Sequence, residues 1–213
     1  MAGNGRDTAR ESRLGAADHQ MNEHHLFPSL AYTALLDDLA PVQDRLIADV
    51  LELAAPGPDD TPVRTRALLQ DRPEAHWAQY FASLGAMIDR IASTLHPRWT
   101  SRSLTSWGLV FRSTEQWPGP FVSIHAHSQA TFSSVCHLSV PPELEEDEGG
   151  TLIRNPLANI HHRYYDVDYV RFAPRELGVV VFPGFLEHLP ERPERPVTFS
   201  SPRIVVATDY CFY

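Results

Sequence analysis

The sequence predicts an α+β protein in which a helical segment precedes a β core, and two patterns of apolar residues carry this prediction. In the first half, apolar residues recur at three- and four-residue steps, which is typical of helices with one buried face. From Ser101 onward, short apolar runs alternate with polar residues and end at Gly or Pro, which is typical of strands. Short strands that follow helices favour a closed or sandwiched β core, which can hold a small site in its mouth.

The composition indicates a soluble protein with one hydrophobic core. The 213 residues fit a single domain, and 43% hydrophobic residues are enough to fill its interior. The net charge of −9, without a basic stripe, argues against a nucleic-acid partner. No apolar run approaches the roughly 20 residues that span a bilayer, and residues 1–20 lack the apolar centre of a signal peptide. We therefore expect a cytoplasmic protein without a membrane partner, and the sequence leaves the oligomeric state open.

The N-terminal segments differ in their capacity to fold. Residues 1–24 are polar and cannot bury enough surface to offset the entropy of ordering, so we expect a disordered tail. Residues 26–55 place apolar side chains at helical spacing, and Pro41 sits where a second helix can begin. Residues 74–95 form the clearest helix, which Pro97 ends. Its apolar stripe consists of Trp77, Tyr80, Phe81, Leu84, Met87, Ile88 and Ile91.

Eight short runs in the second half of the chain have the composition of strands. They read SLTSWGLVFRS, PFVSIHAH, TFSSVCHLSV, GTLIRNP, DYVRFA, LGVVVFPGF, PVTFSS and PRIVVATDYCFY. Cys136 and Cys211 lie within two of these runs, and we expect both to be reduced packing residues. The irregular stretch 157–168 contains Tyr164 and Tyr165. Such a loop over a β scaffold either contributes substrate contacts or is a surface loop with incidental aromatic residues.

Two histidines stand two positions apart in the run FVSIHAH at 121–127. A strand would place the side chains of His125 and His127 on one face, where their imidazoles could bind the same ion. Neutral imidazole is the commonest protein ligand for iron, zinc, copper and nickel. The pair needs a third ligand from elsewhere in the chain.

His188 is the candidate for that third ligand. A buried strand, Val179 to Phe182, runs into the tight turn Pro183-Gly184, and His188 follows at the start of another short strand. This arrangement can present one histidine from the rim of a sheet toward a facing strand. Three histidines would leave positions open on a six-coordinate metal for a co-substrate and oxygen.

Taken together, these residues resemble a small branch of the 2-oxoglutarate- and Fe(II)-dependent oxygenases, in which HxH replaces the usual HxD or HxE. The resemblance covers most of residues 26–213, beginning with LFPSL at 26–30. The matching residues, in the order of the branch, are Trp107, Gly119, His125, His127, Ser133-Ser134, Val140-Pro141, Gly178, Phe182-Pro183, His188 and Arg203-Ile204.

The resemblance implies a fold, a cofactor and a co-substrate. The fold is a double-stranded β-helix, which is jelly-roll or cupin-like, with the N-terminal helices packed outside. Residues 25–213 would form this single domain, in which 25–98 are mainly helical and 101–213 are the β core. Fe(II) would be held by His125 and His188, with His127 where a carboxylate usually stands. Arg203 would pair with the distal carboxylate of 2-oxoglutarate, as the bidentate geometry of guanidinium allows.

The sequence departs from the family pattern near its end. The gap from His188 to Arg203 is longer than usual, so Arg192 or Arg195 is an alternative partner for the carboxylate. The position two residues after the arginine often carries Ser or Thr, and here it is Val205. Asp166 or Asp168 is the alternative ligand if His127 does not bind the metal.

The resemblance implies an enzyme that uses O2 to oxidise a C–H bond of a small molecule, such as an amino acid or a biosynthetic intermediate, by hydroxylation or oxidative cyclisation. Candidate substrate contacts are Trp107, Arg112, Tyr164 and Tyr165. Two alternatives share the β core. The first is a three-histidine cupin-type dioxygenase without 2-oxoglutarate, although Thr131 and Phe132 stand where a cupin has its glutamate. The second is a non-catalytic β-barrel that binds a small molecule.

Overall fold

The computed structural model describes residues 21–26, 29–54, 62–96, 98–99, 102–113, 122–146, 148–156 and 168–213. The strands in these residues are β1 (Asn22–Leu26), β2 (Ser29–Leu35), β3 (Val63–Arg64), β4 (Arg102–Ser113), β5 (Phe132–Ser139), β6 (Thr151–Arg154), β7 (Tyr169–Phe172), β8 (Gly178–Pro183), β9 (His188–Pro190) and β10 (Thr198–Phe212). The helices are α1 (Gln43–Leu53), α2 (Ala75–Leu95) and two 3-10 helices, Asp37–Val42 and Leu69–Asp71.

The strands form two antiparallel sheets. The large sheet has seven strands in the order β1-β2-β8-β5-β10-β4-β3, and the small sheet has three in the order β7-β6-β9. Strand β10 is an interior strand of the large sheet and lies between β5 and β4. Because neighbours in this order are far apart in sequence, the sheet depends on long-range pairing.

One face of the large sheet packs against the helices. The side chains of α1 and α2 meet those of β2, β4, β5, β8 and β10 in the main hydrophobic core. Trp77, Tyr80, Leu84 and Ile88 of α2 have no exposed surface. The amphipathic helix predicted over residues 74–95 is therefore confirmed, and its apolar stripe is core as its period indicates. Pro97 lies outside the described residues.

The opposite face of the large sheet meets the small sheet. A second apolar cluster joins Ala31, Val180 and Phe182 of the large sheet to Ile153 and Phe172 of the small sheet. Because neighbouring strand residues point to opposite faces, Val179 and Val181 pack toward the helices while Val180 and Phe182 pack toward the small sheet. The two sheets with outlying helices agree with the predicted α+β class.

The prediction of a helix in the first half of residues 26–55 is wrong. Residues 29–35 form β2, which pairs with β1 on one side and with β8 on the other. Small residues such as Ala31 and Ala34 suit a strand that is covered on both faces, and tertiary pairing overrides their helical spacing. The predicted second helix is confirmed as α1, with Pro41 in the 3-10 helix before it.

The predicted disordered tail also ends too late, because β1 begins at Asn22 and pairs with β2 from Asn22↔Thr33 onward. Residues 1–20 lie outside the described part of the chain. At the other end of the chain, the two predicted runs PVTFSS and PRIVVATDYCFY form one long strand, β10. Its register with β4 is irregular between Thr198 and Arg203.

The histidine pair does not lie in a regular strand as predicted. Residues 122–130 are irregular, apart from an isolated bridge between His125 and His188. Cys136 is buried, Cys211 is half-buried, and both are free thiols, as expected. None of the helices in the described ranges is long and apolar enough to cross a membrane.

Candidate metal centre

The side chains of His125, His127 and His188 meet between the two sheets. One ring nitrogen of each lies within 4.8 Å of the others. The ring centroids are 4.5 Å apart for His125 and His188, and His127 lies 5.1 Å from each of them. No other group of three metal-binding side chains occurs in the described ranges. The structure thus brings together the three histidines that the sequence singled out.

Backbone hydrogen bonds hold the histidine pair against the elements around it. The His125 amide donates to the His188 carbonyl at 3.1 Å, and the His188 amide donates back at 2.8 Å. The His127 amide donates to the Gly184 carbonyl at 2.7 Å. A Cβ at Gly184 would lie 2.7 Å from the His127 carbonyl oxygen, so only glycine allows this approach. Reciprocal bonds thus replace the strand that the sequence predicted.

Each of the three rings has its Nδ1 engaged by an acceptor. His125 Nδ1 lies 2.8 Å from the Ser123 carbonyl oxygen, and His188 Nδ1 lies 3.1 Å from that of Leu186. His127 Nδ1 lies 2.5 Å from a carboxylate oxygen of Asp209. Because an acceptor requires a proton on Nδ1, the lone pair of each neutral ring is on Nε2. Such outer contacts orient and tune metal-binding histidines.

Asp209 places a carboxylate directly behind His127, at the Nδ1 of its ring. Besides His127, its Oδ1 accepts a hydrogen bond from Ser133 Oγ at 2.7 Å, so the carboxylate is fixed. Sequence reasoning missed Asp209. The sequence feature that could have identified it is the single acidic residue in the largely apolar run VVATDYCF, because a buried carboxylate needs a partner.

Burial keeps His188 neutral. The exposed fraction of its side chain is small, and loss of water around the ring lowers the pKa of His188 to about 4. The ring packs edge-on against Phe182, with centroids 4.7 Å apart. A neutral imidazole at pH 7 is the form that binds a metal.

The histidines line one side of a cavity of about 760 Å³. Its other wall is formed by paired residues of β4 and β10, because residues opposite each other in an antiparallel pair share a face. Ala207 pairs with Trp107, and Asp209 pairs with Thr105, and all four line the cavity. The volume lies within the range of small-molecule sites in proteins.

Arg203 lines the same cavity on β10, six residues before Asp209. It is 1% exposed, it lies over the Phe111 ring at 4.9 Å, and it donates to the carbonyl oxygens of Glu191 and Gly150 at 3.0 and 3.1 Å. Its buried Nε has no hydrogen-bond partner within the described part of the chain. Burial lowers the pKa of Arg203 to about 9, so the guanidinium is charged at pH 7.

A second buried group lies beside Arg203. His137 of β5 pairs with Val205, which lines the cavity, and is 3% exposed. Its Nδ1 also lacks a hydrogen-bond partner among the residues described. Burial, and then the positive charge of Arg203, hold the pKa of His137 well below its usual range. A guanidinium with an unpaired Nε and a neutral ring at the same place mark a site that favours an anion.

Comparison with known proteins supports the fold. No protein-family model and no curated protein sequence matches the chain. Solved structures do match. A prolyl-4-hydroxylase of Pseudomonas putida has a TM-score of 0.51 at 12% identity, over 91% of this chain and 93% of that one. The non-heme alpha-ketoglutarate-dependent epimerase SnoN from nogalamycin biosynthesis has a TM-score of 0.59 at 10% identity, over 85% and 77%.

A third similar structure is dioxygenase for auxin oxidation 1 from Arabidopsis thaliana, in its complex with 2-oxoglutarate. Its TM-score is 0.53 at 10% identity, over 81% of this chain and 77% of that one. The chain shares its fold with these three enzymes. At these identities the likeness concerns the fold, and the site must be argued from the residues themselves.

Within this oxygenase fold, the predicted substrate contacts fall in different places. Trp107 lines the cavity, with its ring 5.5 Å from that of His127. Arg112 is exposed on β4 and is not among the lining residues, because it shares the face of Val110, which packs in the main core. Tyr164 and Tyr165 lie outside the described residues, as does Gly119 of the sequence motif.

The alternative residues considered for the candidate site lie in different places. Arg195 is exposed and forms ion pairs with Glu145 and Glu148. Arg192 is not among the cavity residues. Asp168 is exposed and outside the histidine group, and Asp166 lies outside the described residues.

One cavity residue of the oxygenase fold was not considered from the sequence. Arg64 of the short edge strand β3 lies with its Cζ 4.4 Å above the Trp107 ring. The segment around it, residues 61–72, has no clear periodicity, so no sequence signal marked it.

Proposed function

We propose that this protein is an Fe(II)- and 2-oxoglutarate-dependent oxygenase that oxidises a C–H bond of a small molecule, by hydroxylation or oxidative cyclisation. The observation that carries the proposal is the pairing, in one cavity, of three imidazoles with available Nε2 atoms and a buried arginine with an unpaired Nε. On this proposal, residues 25–213 form a single domain, and the two sheets are the halves of a double-stranded β-helix.

The residues present fit the cofactor and the co-substrate. His125, His127 and His188 would hold Fe(II), because their second nitrogens are fixed by outer acceptors and their lone pairs converge. Arg203 would bind the far carboxylate of 2-oxoglutarate through its unpaired Nε edge. A charged group this deeply buried is stable only with a partner, and the anion would be that partner.

The bound iron and 2-oxoglutarate would supply the oxidising power that breaks a C–H bond. The chain's own contribution is to fix the ligands, to place the target carbon and to keep water away from the reacting atoms. Trp107, next to His127, would form one wall for the substrate. An amino acid or a biosynthetic intermediate fits a cavity of this size beside the co-substrate.

Asp209 compensates part of the charge at a site with three histidine ligands. Such a site carries more positive charge than an iron site with two histidines and one carboxylate. Here the carboxylate of Asp209, 2.5 Å from His127 Nδ1, places a negative charge directly behind one ligand. The hydrogen bond makes His127 a more basic ligand and offsets part of that difference.

The test is an anaerobic titration of metal-free protein with Fe(II) and then 2-oxoglutarate, followed by visible absorption. A weak charge-transfer band that needs both additions supports the proposal. Iron binding without the band would favour the three-histidine dioxygenase that does not use 2-oxoglutarate, and thiols would then be tried as substrates. Failure to bind any metal would leave a non-catalytic binding protein.

Three variants separate the parts of the site. His188→Ala should lose iron binding and turnover, because only two imidazoles remain. Arg203→Gln should keep iron but require much more 2-oxoglutarate before the band forms. His127→Ala asks whether the third histidine is a true ligand, since retained iron and activity would mean a two-histidine site. Circular dichroism and thermal unfolding of each variant exclude misfolding as the cause.

A further inference from the structure

We infer that the cavity takes a substrate with an anionic group, such as a carboxylate or phosphate, and that Arg64 binds this group. That the bound molecule is a substrate rests on the proposed function. The binding of an anion at Arg64 does not depend on iron or 2-oxoglutarate. Arg64 is placed by the fold on the cavity side of the large sheet. It pairs with Leu109, another lining residue, whereas its neighbour Val63 packs against the main core.

The contact with Trp107 holds the guanidinium ready for a ligand. The Cζ of Arg64 lies 4.4 Å from the centre of the indole ring, and the N–H donors of a guanidinium all lie in its plane and point outward from its edges. Those edges suit a two-point contact with an oxyanion. The Trp107 ring in turn lies 5.5 Å from that of His127. A molecule anchored by Arg64 would therefore place its other end near the metal centre.

Arg64 has no competing acidic partner. Within the described ranges it forms neither an ion pair nor a side-chain hydrogen bond, and its only recorded contact is with Trp107. The other charged cavity residues have roles of their own: Asp209 accepts from His127 and Ser133, and Arg203 donates to two carbonyl oxygens and keeps its Nε edge for the co-substrate. The protein has a net charge of −9, so an arginine without an acidic partner at the cavity wall creates a local positive potential, which favours an anion.

The position of Arg64 separates its role from that of Arg203. Arg203 is on the interior strand β10 and buried, whereas Arg64 is on the edge strand β3, two strands away, and exposed. Adjacent strands are about 4.8 Å apart, so the two backbones are separated by roughly 10 Å. One anion site lies deep in the cavity and the other lies at its edge, which matches a co-substrate and a substrate bound together.

Close packing around Gly108 fixes the strand that carries Arg64. The Thr65 amide donates to the Gly108 carbonyl at 3.0 Å, and the Gly108 amide donates to Thr65 Oγ1 at 3.0 Å. A Cβ at position 108 would lie 2.9 Å from Thr65 Cγ2. The chain is thus held against β4 immediately after Arg64, and the pairing of Arg64 with Leu109 keeps its side chain on the face that carries Trp107.

The experiment compares a matched pair of probes, benzoate and benzamide, which differ mainly in charge. Binding is followed by the Trp107 fluorescence, identified by its loss in Trp107→Phe, first with metal-free protein and then with Zn²⁺ and 2-oxoglutarate present. We expect benzoate to bind at least about 10-fold more tightly than benzamide. Arg64→Gln should reduce benzoate affinity to that of benzamide, and Arg64→Lys should restore part of it.

Arg66→Gln is the matched control, because Arg66 is an exposed arginine two residues along that does not line the cavity. It should bind benzoate like the wild type. Equal affinities for the two probes, no effect of Arg64→Gln, or no detectable benzoate binding would each overturn the inference. The metal-free measurement keeps this result separate from the oxygenase proposal, which is tested by the iron titration.

Discussion

At the scale of single residues, outer contacts decide what the three histidines can do. Two of the Nδ1 atoms meet backbone carbonyls, which carry no net charge, whereas the third meets the carboxylate of Asp209. Of the three proposed ligands, His127 is therefore the one whose electronic character the protein can tune through a side chain. Asp209 and His137 each lead to a prediction about a single residue.

Asp209→Asn should weaken metal binding by about 10- to 100-fold while keeping the fold. The amide oxygen can still accept from His127 Nδ1 and Ser133 Oγ, so the geometry is preserved and the negative charge is lost. Titration of Zn²⁺ against a competing chelator measures the change. Asp168→Asn, at an exposed position away from the site, is the control. Equal affinity in Asp209→Asn and wild type would show that the charge is not felt at the metal.

Because His137 is buried and neutral, we expect the folded protein to lose stability as the pH falls. The folded-state pKa of His137 lies well below the ordinary 6.5, because burial and Arg203 disfavour the charged ring. The unfolded chain therefore takes up the proton first, so the stability that neutral His137 contributes is complete above pH 6.5 and is lost as the pH falls. The slope is up to about 1.4 kcal/mol per pH unit.

Urea unfolding of metal-free wild type and His137→Gln checks this expectation. As the pH falls below 6.5, the ordinary pKa of histidine, the wild type should lose unfolding free energy more steeply than the variant, because only the wild type carries the buried imidazole. Above pH 7 the difference between the two proteins should be constant, which is the internal control. Parallel curves over the acidic range would mean that His137 titrates normally in the folded protein.

At the scale of elements, the site depends on the alternation of side chains along β4 and β10. Residues of one parity line the cavity, including Trp107, Ala207 and Asp209, and those of the other parity, including Val110 and Val206, fill the main core. The same alternation explains why Arg112 is on the wrong face for a substrate contact while Arg64 is on the right one.

Gly108→Ala should destabilise the protein by about 1–3 kcal/mol, the usual cost of overpacking. The added Cβ would lie 2.7 Å from Val50 Cγ1 of α1 and 2.9 Å from Thr65 Cγ2, so both α1 and β3 must move away from β4. The free energy of unfolding in urea measures the cost. Ser103→Ala, at an exposed position of the same strand, should change it little. Unchanged stability in Gly108→Ala would show that this junction can adjust.

At the scale of the whole molecule, the metal centre lies where three parts of the fold meet. His188 belongs to the small sheet, His125 and His127 belong to the irregular segment, and Asp209 belongs to the large sheet. A bound ion would connect the two sheets, because each supplies a ligand or the partner of a ligand. Metal binding should therefore be linked to global stability.

Zn²⁺ should raise the thermal unfolding temperature of the wild type and leave that of His188→Ala unchanged. At a free metal concentration 100 times the dissociation constant, the added stability is about 2.7 kcal/mol. Differential scanning calorimetry measures the shift, a chelator should reverse it, and Mg²⁺, which prefers oxygen ligands, is the negative control. The same rise in His188→Ala would place the ion elsewhere in the chain.

The sequence by itself determined the features that depend on local pattern. The apolar period predicted α2, and alternation predicted most strands of the second half, because both patterns record which side of an element is buried. The three histidines were also predicted, since an HxH pair and a histidine after a Pro-Gly turn are chemically unusual. The structure brings them together in one group, and their role as metal ligands stays a prediction.

Tertiary structure decided what depends on pairing between distant segments. Residues 29–35 form a strand because β8, almost 150 residues away in sequence, offers an edge to pair with, which outweighs their helical spacing. His125 and His127 converge through bonds to His188 and Gly184, without a regular strand. Asp209 and Arg64 reach the site only through the register of β10, β4 and β3. Long-range register leaves no local pattern in the sequence, and only the folded chain reveals it.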